Sequence, residues 1–268
     1  MAILYDQHLH TALSPDGISP MEEYCSAALI RGMKGLCFTE HVDVLCSEVE
    51  FNPGTDLAAY KAAFDAVKEQ HGHELDLHFG IEAGLISWSL AETAEYLKGY
   101  EFDYIIASYH YPEGIPNLMY PENWAFVSRE VGLQKYLRGF LPCLKGYDDY
   151  DCIGHLTYFS RYCPLSPKRT TYADAPDEID AIFRHLIEKG KGMEVNTSTY
   201  ESCGFTMPDL TMVKRYRELG GEIITIGSDG HAVSHLGRSF AYACEMLKQA
   251  GFTHYAVFTG RKPTFLPL

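Results

Sequence analysis

The stretch DQHLHTALSPDG, residues 6–17, marks the point where a short hydrophobic strand gives way to a loop. It carries two histidines two positions apart, and residues i and i+2 of a strand project from the same face. His8 and His10 are therefore expected to point toward one place, with Asp16 following in the loop. A metal site can begin in this way, but an isolated pair of this kind is more often just polar residues at a strand end. The rest of the chain decides between the two interpretations.

Composition narrows the class of protein. The chain has 268 residues, 46% of them hydrophobic, which suits one large α/β domain or two small ones. A formal net charge of -14 argues against nucleic acid as a partner, because nucleic-acid-binding proteins normally carry a basic surface. A small phosphorylated substrate is compatible with this charge if metal ions supply positive charge locally.

The sequence also bears on location. The eight cysteines form no CxxC pair and are expected to be reduced thiols. The N-terminus enters a predicted strand directly, and no apolar run approaches the roughly 20 residues that a membrane helix needs. We expect a cytoplasmic protein with no membrane partner, and the sequence leaves the oligomeric state open.

Short β-branched or aromatic segments alternate with longer segments of helical period. The predicted strands are 3–8, 35–39, 75–81, 102–108, 152–155, 192–196 and 222–227. The predicted helices are 20–31, 56–70, 90–97, 130–144, 176–189, 208–219 and 237–249. Because the seven units follow one another without a linker, we predict a single barrel-like α/β domain over residues 1–268. Two long loops, 109–127 and 157–175, would lie over the C-terminal mouth of this barrel.

Histidines and carboxylates recur where the predicted strands end. Six of the seven strands end in such a residue, and in a parallel barrel these ends meet at one mouth. The candidate metal ligands are His8, His10, Asp16, His41, Glu82, His110, His155, Asp229 and His231. Nine candidates exceed what one ion needs, so we expect two or three divalent ions, and imidazole with carboxylate suits Zn, Mn or Fe. Such clusters activate water and clamp the oxygens of a phosphoryl group.

The motifs HLHT, TEH, GIE, SYH, GH and SDGH, in this order over nearly the whole chain, resemble those of the PHP (polymerase and histidinol phosphatase) superfamily. Chain length, Asp16 in HTALSPDG and the NTS after the sixth strand most resemble the histidinol-phosphate phosphatases. The resemblance implies a distorted TIM-like (β/α)7 barrel, a PHP domain that holds three metals. It also implies hydrolysis of a phosphomonoester by attack of a metal-bridged hydroxide.

The resemblance further implies three ligand sets that share one carboxylate. The first set is His8, His10, Glu82 and Asp229; the second is Glu82, His110 and His155; the third is Asp16, His41 and His231. Many relatives have histidine where this chain has Asp16, and a carboxylate there lowers the net charge of the third set. The TYESCGF that follows NTS also departs from the family pattern, which leaves the leaving group open.

The remaining functional candidates handle protons and substrate. Asp229, His231 and Asp16 are the candidate proton carriers, which the sequence does not rank. Arg161 and Arg238 are the candidate phosphate clamps, because a guanidinium fork matches phosphate oxygens. Asn196, at the end of the sixth strand, is a candidate substrate contact.

Other residues are assigned supporting roles. Glu40 is expected to orient a metal-bound imidazole. An acid or aromatic partner for a cationic leaving group could come from Glu113, Glu122 or Trp124.

Three hypotheses follow, two of them enzymatic. The leading one is a histidinol-phosphatase-like phosphoric monoester hydrolase that converts L-histidinol phosphate to L-histidinol and phosphate in histidine biosynthesis. The second is a phosphoesterase of the same family that acts on another small phosphate ester, such as a nucleotide or a sugar phosphate. The third, a non-catalytic module, is disfavoured because all nine ligand positions carry a competent residue.

Overall fold

The computed structural model describes residues 4–46, 51–113 and 120–268. The strands in these segments are β1 (Tyr5–Leu9), β2 (Gly35–Cys46), β3 (Phe51–Gly54), β4 (Asp76–Gly84), β5 (Tyr104–Ser108), β6 (Cys152–Ile153), β7 (Gly192–Asn196), β8 (Ile224–Gly227), β9 (His254–Thr259) and β10 (Lys262–Pro267). The α-helices are α1 (Met21–Arg31), α2 (Leu57–His71), α3 (Leu90–Leu97), α4 (Arg129–Gly146), α5 (Pro176–Glu188), α6 (Tyr200–Cys203), α7 (Leu210–Glu218) and α8 (Phe240–Gln249).

Seven parallel strands form a nearly closed barrel in the order β1-β2-β4-β5-β6-β7-β8. The last and first strands meet through a parallel bridge between Leu9 and Gly230, and the His10 backbone N–H donates to the Gly230 carbonyl over 2.9 Å. The predicted distorted TIM-like (β/α)7 barrel is therefore confirmed. Since all seven strands run in one direction, their C-terminal ends share one mouth.

Three of the described helices, α2, α4 and α7, begin at a side-chain cap. Asp56 accepts from the Ala58 and Ala59 backbone N–H groups at the start of α2, and Asp209 caps α7 in the same way. The buried faces of these helices pack on apolar barrel strands, which is the two-layer arrangement that the alternating pattern predicts. Among the described residues, no helix has the length and apolar character needed to cross a membrane.

A C-terminal hairpin, β9 paired antiparallel with β10, closes the opposite end of the barrel. Gln7 of β1 accepts from the Phe258 backbone N–H over 2.9 Å, and the Phe258 ring stacks on Tyr104 with 4.9 Å between centroids. The two loop residues, Gly260 and Arg261, both have positive φ, as a tight hairpin with right-handed strand twist requires. The sequence analysis assigned no strand here.

Strand bounds also differ from the prediction near the mouth. β2 continues past the predicted end at residue 39 to Cys46 and pairs antiparallel with β3, which was not predicted. β6 is only two residues long, so the chain leaves the barrel wall before His155. Both differences place polar side chains at the mouth. The extra length of β2 carries Asp43 there, and the early end of β6 leaves His155 beyond the strand.

Candidate metal centre

The first predicted ligand set converges at the end of β1. The Nε2 atoms of His8 and His10 lie 3.0 Å apart, and each lies 3.4 Å from Glu82 Oε2. Asp229 Oδ1 lies 3.4 Å from His10 Nε2 and 3.9 Å from His8 Nε2. All four side chains are buried, so these polar atoms face one another rather than solvent.

The second predicted set shares Glu82. Its Oε1 atom lies 2.8 Å from His155 Nε2 and 3.3 Å from His110 Nε2, and the two imidazole nitrogens are 3.4 Å apart. Ser108, at the end of β5, donates a hydrogen bond of 2.6 Å to the same oxygen. Glu82 therefore lies between the two histidine pairs, with one oxygen toward each.

The third predicted set is more exposed. His231 Nε2 lies 3.0 Å from Asp16 Oδ2, His41 Nε2 lies 3.6 Å from Asp16 Oδ1, and the two imidazole nitrogens are 3.4 Å apart. The Asp16 side chain is 59% exposed, against 16% for His41 and 19% for His231. The structure thus brings all nine predicted ligands to the mouth of the barrel.

The donor arrangement fits divalent metal ions. Three pairs of imidazole Nε2 atoms face each other at 3.0–3.4 Å, and two nitrogen ligands of tetrahedral zinc lie about 3.3 Å apart when each bond is about 2.0–2.1 Å. Four overlapping groups bring three ligand atoms within 4.8 Å of one another. Glu82 Oε2 and His41 Nδ1 lie 2.8 Å apart, yet neither buried atom has a hydrogen bond of acceptable geometry within the described part of the chain.

Opposite charges in the buried cluster shift the pKa values of its members. Burial disfavours the charged form of His8, but Glu194 and Glu82 outweigh this and raise its pKa well above the usual value. Burial would raise the pKa of Glu82, but the neighbouring histidines hold it well below its usual range. Burial and two neighbouring imidazoles lower the pKa of His10 well below its usual value. A bound cation would replace the protons that these groups compete for.

Two carboxylates that were not predicted from the sequence contact the imidazoles of His8 and His110 on the side away from the cluster. Glu194 of β7 lies with Oε1 2.6 Å from His8 Nδ1, and Asp43 of β2 lies with Oδ1 2.9 Å from His110 Nδ1. Such partners fix the ring orientation of metal-bound histidines. The signal for Glu194 was a charged residue inside the hydrophobic strand GMEVN.

Glu40 supports the centre less directly than expected. Its carboxylate accepts from the Ser14 hydroxyl over 2.5 Å, and Ser14 Oγ lies 3.4 Å from His10 Nδ1. It also accepts from the Thr11 hydroxyl and backbone N–H. Glu40 therefore reaches an imidazole only through Ser14, while it fixes the start of the loop that carries Asp16.

Two of the predicted substrate contacts have other partners. Arg238 donates from Nε to the Ser228 carbonyl over 3.0 Å and from one Nη to the Asp229 carbonyl over 2.9 Å. Asp229 has a φ of 50°, in the left-handed region that residues other than glycine adopt uncommonly, and Arg238 stabilises the backbone that presents the Asp229 carboxylate. These bonds occupy part of the guanidinium fork, and the role of Arg238 as a phosphate clamp stays a prediction.

Asn196 is the second of these residues, and its role as a substrate contact stays a prediction. Its side chain is fully buried, donates to Glu194 Oε2 over 3.2 Å, and accepts from the Ser198 backbone N–H and hydroxyl. A side chain with both ends of its amide engaged inside the protein has little to offer a substrate. Asn196 therefore supports Glu194.

Arg161 lies beside the cluster, and its role as a phosphate clamp stays a prediction. It lies on a short 3₁₀ turn, Tyr158–Arg161, in the long loop after β6, and its side chain is 32% exposed. One Nη atom lies 3.4 Å from Asp229 Oδ2. The guanidinium thus borders the cluster from the solvent side.

A cavity of about 280 Å³ opens beside the third set. Its wall includes the carboxylates of Asp16 and Asp43 and the rings of Tyr111 and Tyr158, with Leu45 as an apolar surface. The cavity is therefore lined by acidic and aromatic groups.

The leaving-group partners suggested from sequence lie elsewhere. Trp124 is 4% exposed and packs near Phe159, so its ring belongs to the core. Glu113 accepts from Ser87 over 2.7 Å, and Glu122 is exposed, and neither is among the residues that line the cavity. Residues 114–119 of this loop lie outside the described residues.

Comparison with known proteins supports one family. A histidinol-phosphatase of Lactococcus lactis is 26% identical over 96% of this chain and 95% of its own length. A probable histidinol-phosphatase of Clostridium acetobutylicum is 28% identical over 91% of this chain and 92% of its own length. A crystal structure of the Lactococcus lactis histidinol phosphate phosphatase, complexed with zinc, L-histidinol and phosphate, matches with a TM-score of 0.86 and covers 97% of this chain and 98% of that one.

The family model of the PHP domain matches residues 6–198. This span runs from β1 to the loop after β7 and includes seven of the nine predicted ligands, all except Asp229 and His231. The match covers well over half of the 268 residues. The chain belongs to the PHP domain family.

Proposed function

We propose that the chain is a metal-dependent phosphomonoesterase that hydrolyses L-histidinol phosphate to L-histidinol and phosphate in histidine biosynthesis. The observation that carries the proposal is a cluster of histidines and carboxylates, able to hold metal ions, at the mouth of a barrel that matches, over 97% of its length, a histidinol phosphate phosphatase complexed with zinc, L-histidinol and phosphate. Buried His/carboxylate clusters without thiolate are typical of catalytic rather than structural metal sites.

We infer two or three divalent ions, with zinc the first candidate and Mn or Fe as alternatives. The first and second sets would share Glu82, and the third would use Asp16, His41 and His231. When bound, such ions supply a nucleophilic hydroxide at neutral pH and neutralise the charge of the phosphoryl oxygens. This chemistry requires no serine or cysteine nucleophile from the chain.

Arg161 is proposed to hold the phosphate. Its guanidinium borders the cluster 3.4 Å from Asp229, and the planar fork can donate two hydrogen bonds to phosphate oxygens. The Arg161 guanidinium keeps its positive charge, because the attraction of Asp229 outweighs the effect of burial and raises the pKa of Arg161. Arg161 would therefore orient the phosphoryl group above the buried ligands.

Proton transfer to the departing alkoxide is assigned to the Asp16–His231 pair for the case in which only the first two sets hold metal, because a side chain bound to an ion has no proton to donate from the bound atom. These side chains are 3.0 Å apart, and Asp16 lines the cavity, whereas Asp229 is buried beneath them. A proton donor within hydrogen-bond reach of the leaving oxygen lowers the barrier to its departure. Asp229 is then the candidate that would accept a proton from the attacking water.

The cavity suits the leaving group of L-histidinol phosphate. Asp16 and Asp43 attract a cation, and Tyr111 and Tyr158 offer rings to a flat imidazole. A nucleotide would bring further negative charge against the same carboxylates. The walls therefore favour a small cationic leaving group over the alternative substrates.

The test is a substrate screen on protein stripped of metal and reconstituted with zinc or manganese. We expect a kcat/KM for L-histidinol phosphate roughly a hundredfold or more above that for p-nitrophenyl phosphate, because a fitted cationic leaving group contributes several kcal/mol of binding. Equal values would refute the substrate assignment, and a higher value for a nucleotide or sugar phosphate would replace it. No activity, together with fewer than two tightly bound ions, would indicate a non-catalytic module.

A further inference from the structure

Glu194 is a buried carboxylate that none of the three ligand sets uses. It lies in β7 with its side chain 1% exposed. A buried carboxylate is costly unless hydrogen-bond donors surround it. Its two oxygens face three nitrogen groups: His8 Nδ1 at 2.6 Å, the His155 backbone N–H at 3.0 Å and the Asn196 side-chain amide at 3.2 Å.

The first contact fixes how His8 faces the cluster. An ionised carboxylate can only accept a hydrogen bond, so the proton of the pair lies on His8 Nδ1. The opposite ring nitrogen, Nε2, then presents its lone pair toward His10 and Glu82, 3.0 and 3.4 Å away. Glu194 thus fixes both the tautomer and the rotation of this ring.

The second contact reaches a ligand of a different set. Glu194 Oε2 holds the backbone N–H of His155, whose side chain lies 2.8 Å from Glu82. β6 ends at Ile153, so His155 lies outside the strand and needs a partner for its N–H. One carboxylate therefore positions a residue of the first set and a residue of the second.

The neighbouring strand leaves room for this arrangement. A Cβ atom on Gly227 of β8 would lie 2.2 Å from Glu194 Oε1 and 2.4 Å from the Cβ atom of His8. Both distances are far below van der Waals contact. Any other residue at position 227 would displace the Glu194–His8 pair.

The other supporting carboxylates are more exposed or less direct, although Asp43 Oδ2 also lies 3.8 Å from His41 Nδ1. Asp43 contacts His110 but is 16% exposed, and Glu40 reaches His10 only through Ser14. We infer that Glu194 is a positioning residue that couples the first and second metal sets, so that disturbing it weakens both together. This inference rests on the metal-dependent part of the proposed function.

The experiment compares zinc binding by the full-length wild type, Glu194→Gln and a control, Glu188→Gln, which alters an exposed glutamate of α5. Zinc affinities are measured by competition with a chromophoric chelator, without substrate. A glutamine amide can accept at one end only, so one of the two supported ligands faces an N–H group instead of an acceptor, and its displacement reaches the other ligand through Glu82, which both contact. We expect both of the tightest ions to bind roughly 10–100-fold more weakly in Glu194→Gln. The control should stay within about twofold of wild type, because an exposed surface substitution rarely has a larger effect.

Two results would overturn the inference. If only one ion binds more weakly, the coupling is wrong, and if neither does, the positioning role is wrong as well. If Glu194→Gln does not fold, the test is made on the zinc-loaded wild type. ¹⁵N NMR of its imidazoles then shows which ring nitrogen carries the proton. The His8 signal is assigned by its loss in His8→Gln. We expect a proton on His8 Nδ1, and a bare Nδ1 overturns the inference.

Zinc binding and catalysis are read separately. A wild type that binds zinc but has no phosphatase activity would refute the proposed function and leave the coupling to be judged on the affinities. A wild type that binds no zinc overturns both.

Discussion

The ligands of the metal centre lie in two regions with different surroundings. The floor, whose side chains are at most 5% exposed, consists of His8, His10, Glu82, His110, His155 and Asp229. The rim, whose side chains are 16–59% exposed, consists of Asp16, His41 and His231. Two floor imidazoles have a carboxylate behind them, His8 with Glu194 and His110 with Asp43, whereas Asp16 extends from a loop.

The difference follows from the environment. In the floor, buried polar atoms are not reached by water, so fixed partners such as Glu194 and Asp43 are needed to hold the imidazoles on the side away from the cluster. At the rim, water can satisfy Asp16 directly, so its position depends on the loop and on the neighbouring imidazoles. The floor is therefore preorganised, and the rim can adapt to what binds in the cavity.

The largest effect is expected at Glu82. Glu82→Gln removes the charge that faces five histidines and the oxygen pair shared by the first two sets. Because each metal contributes several kcal/mol to charge stabilisation, we expect kcat/KM to fall by about a thousandfold or more. Activity on L-histidinol phosphate and zinc content by mass spectrometry check this, with the exposed Glu101→Gln as a matched control. Two zinc ions retained at wild-type affinity would show that the floor does not depend on its shared carboxylate.

Arg161 gives the next largest effect, from the solvent side. Arg161→Ala removes the guanidinium that borders Asp229, and we expect kcat/KM to fall roughly a hundredfold, in line with the loss of one strong charged donor. Inhibition by inorganic phosphate should weaken in parallel, while zinc content stays unchanged. Arg161→Lys tests the fork geometry, because a lysine keeps the charge but not the planar pair of donors. Unchanged phosphate inhibition in Arg161→Ala would contradict the assignment.

The sequence was informative where regular strands position the site. Alternation of strands and helices predicted the barrel, and the recurrence of His and carboxylate residues at strand ends predicted which side chains meet at the mouth. Both follow from rules of period and direction that need no tertiary detail. The roles of the individual ligands stay predictions.

The contributions that escaped prediction depend on packing. Glu194 lies on the inner face of β7, two residues before Asn196, and only the proximity of β1 reveals its partner. Asp43 was missed because β2 was predicted to end at residue 39. The hairpin β9–β10 carried a usable signal, since Gly260 and Arg261 separate two β-prone runs.

Asp16 is the critical test of the rim. Asp16→Ala removes a carboxylate that lies 3.0 Å from His231 and 3.6 Å from His41, but leaves the floor intact. We expect one ion to bind roughly 10–100-fold more weakly and the tightest ions to be unaffected, because loss of one exposed partner costs little at a preorganised site. Activity should fall by about tenfold, with less effect when zinc is in excess. A chelator titration that follows each ion provides the measurement, and full activity with full metal content would show that Asp16 is not a ligand.

The smallest effect is expected far from both regions, where Asp180 of α5 meets Arg215 of α7 through contacts of 2.8 and 2.6 Å. The Arg215 hydrogen bonds lower the pKa of Asp180 to about 2. A carboxyl group whose pKa is lower in the folded state stabilises the fold above its unfolded pKa, and this contribution is lost as the pH falls from about 4 toward 2.

Asp180→Asn should therefore reduce stability at neutral pH by no more than about 1 kcal/mol, because such pairs near the surface are screened by solvent. Urea unfolding at pH 7 and pH 3 provides the measurement, and the gap between variant and wild type should narrow at the lower pH. Zinc affinity and activity should not change, which makes this variant the baseline for the floor and the rim. A loss of zinc in Asp180→Asn would mean that zinc binding depends on the stability of the whole fold. The effects of the Glu82 and Asp16 substitutions on zinc binding would then have to be corrected for their effects on stability.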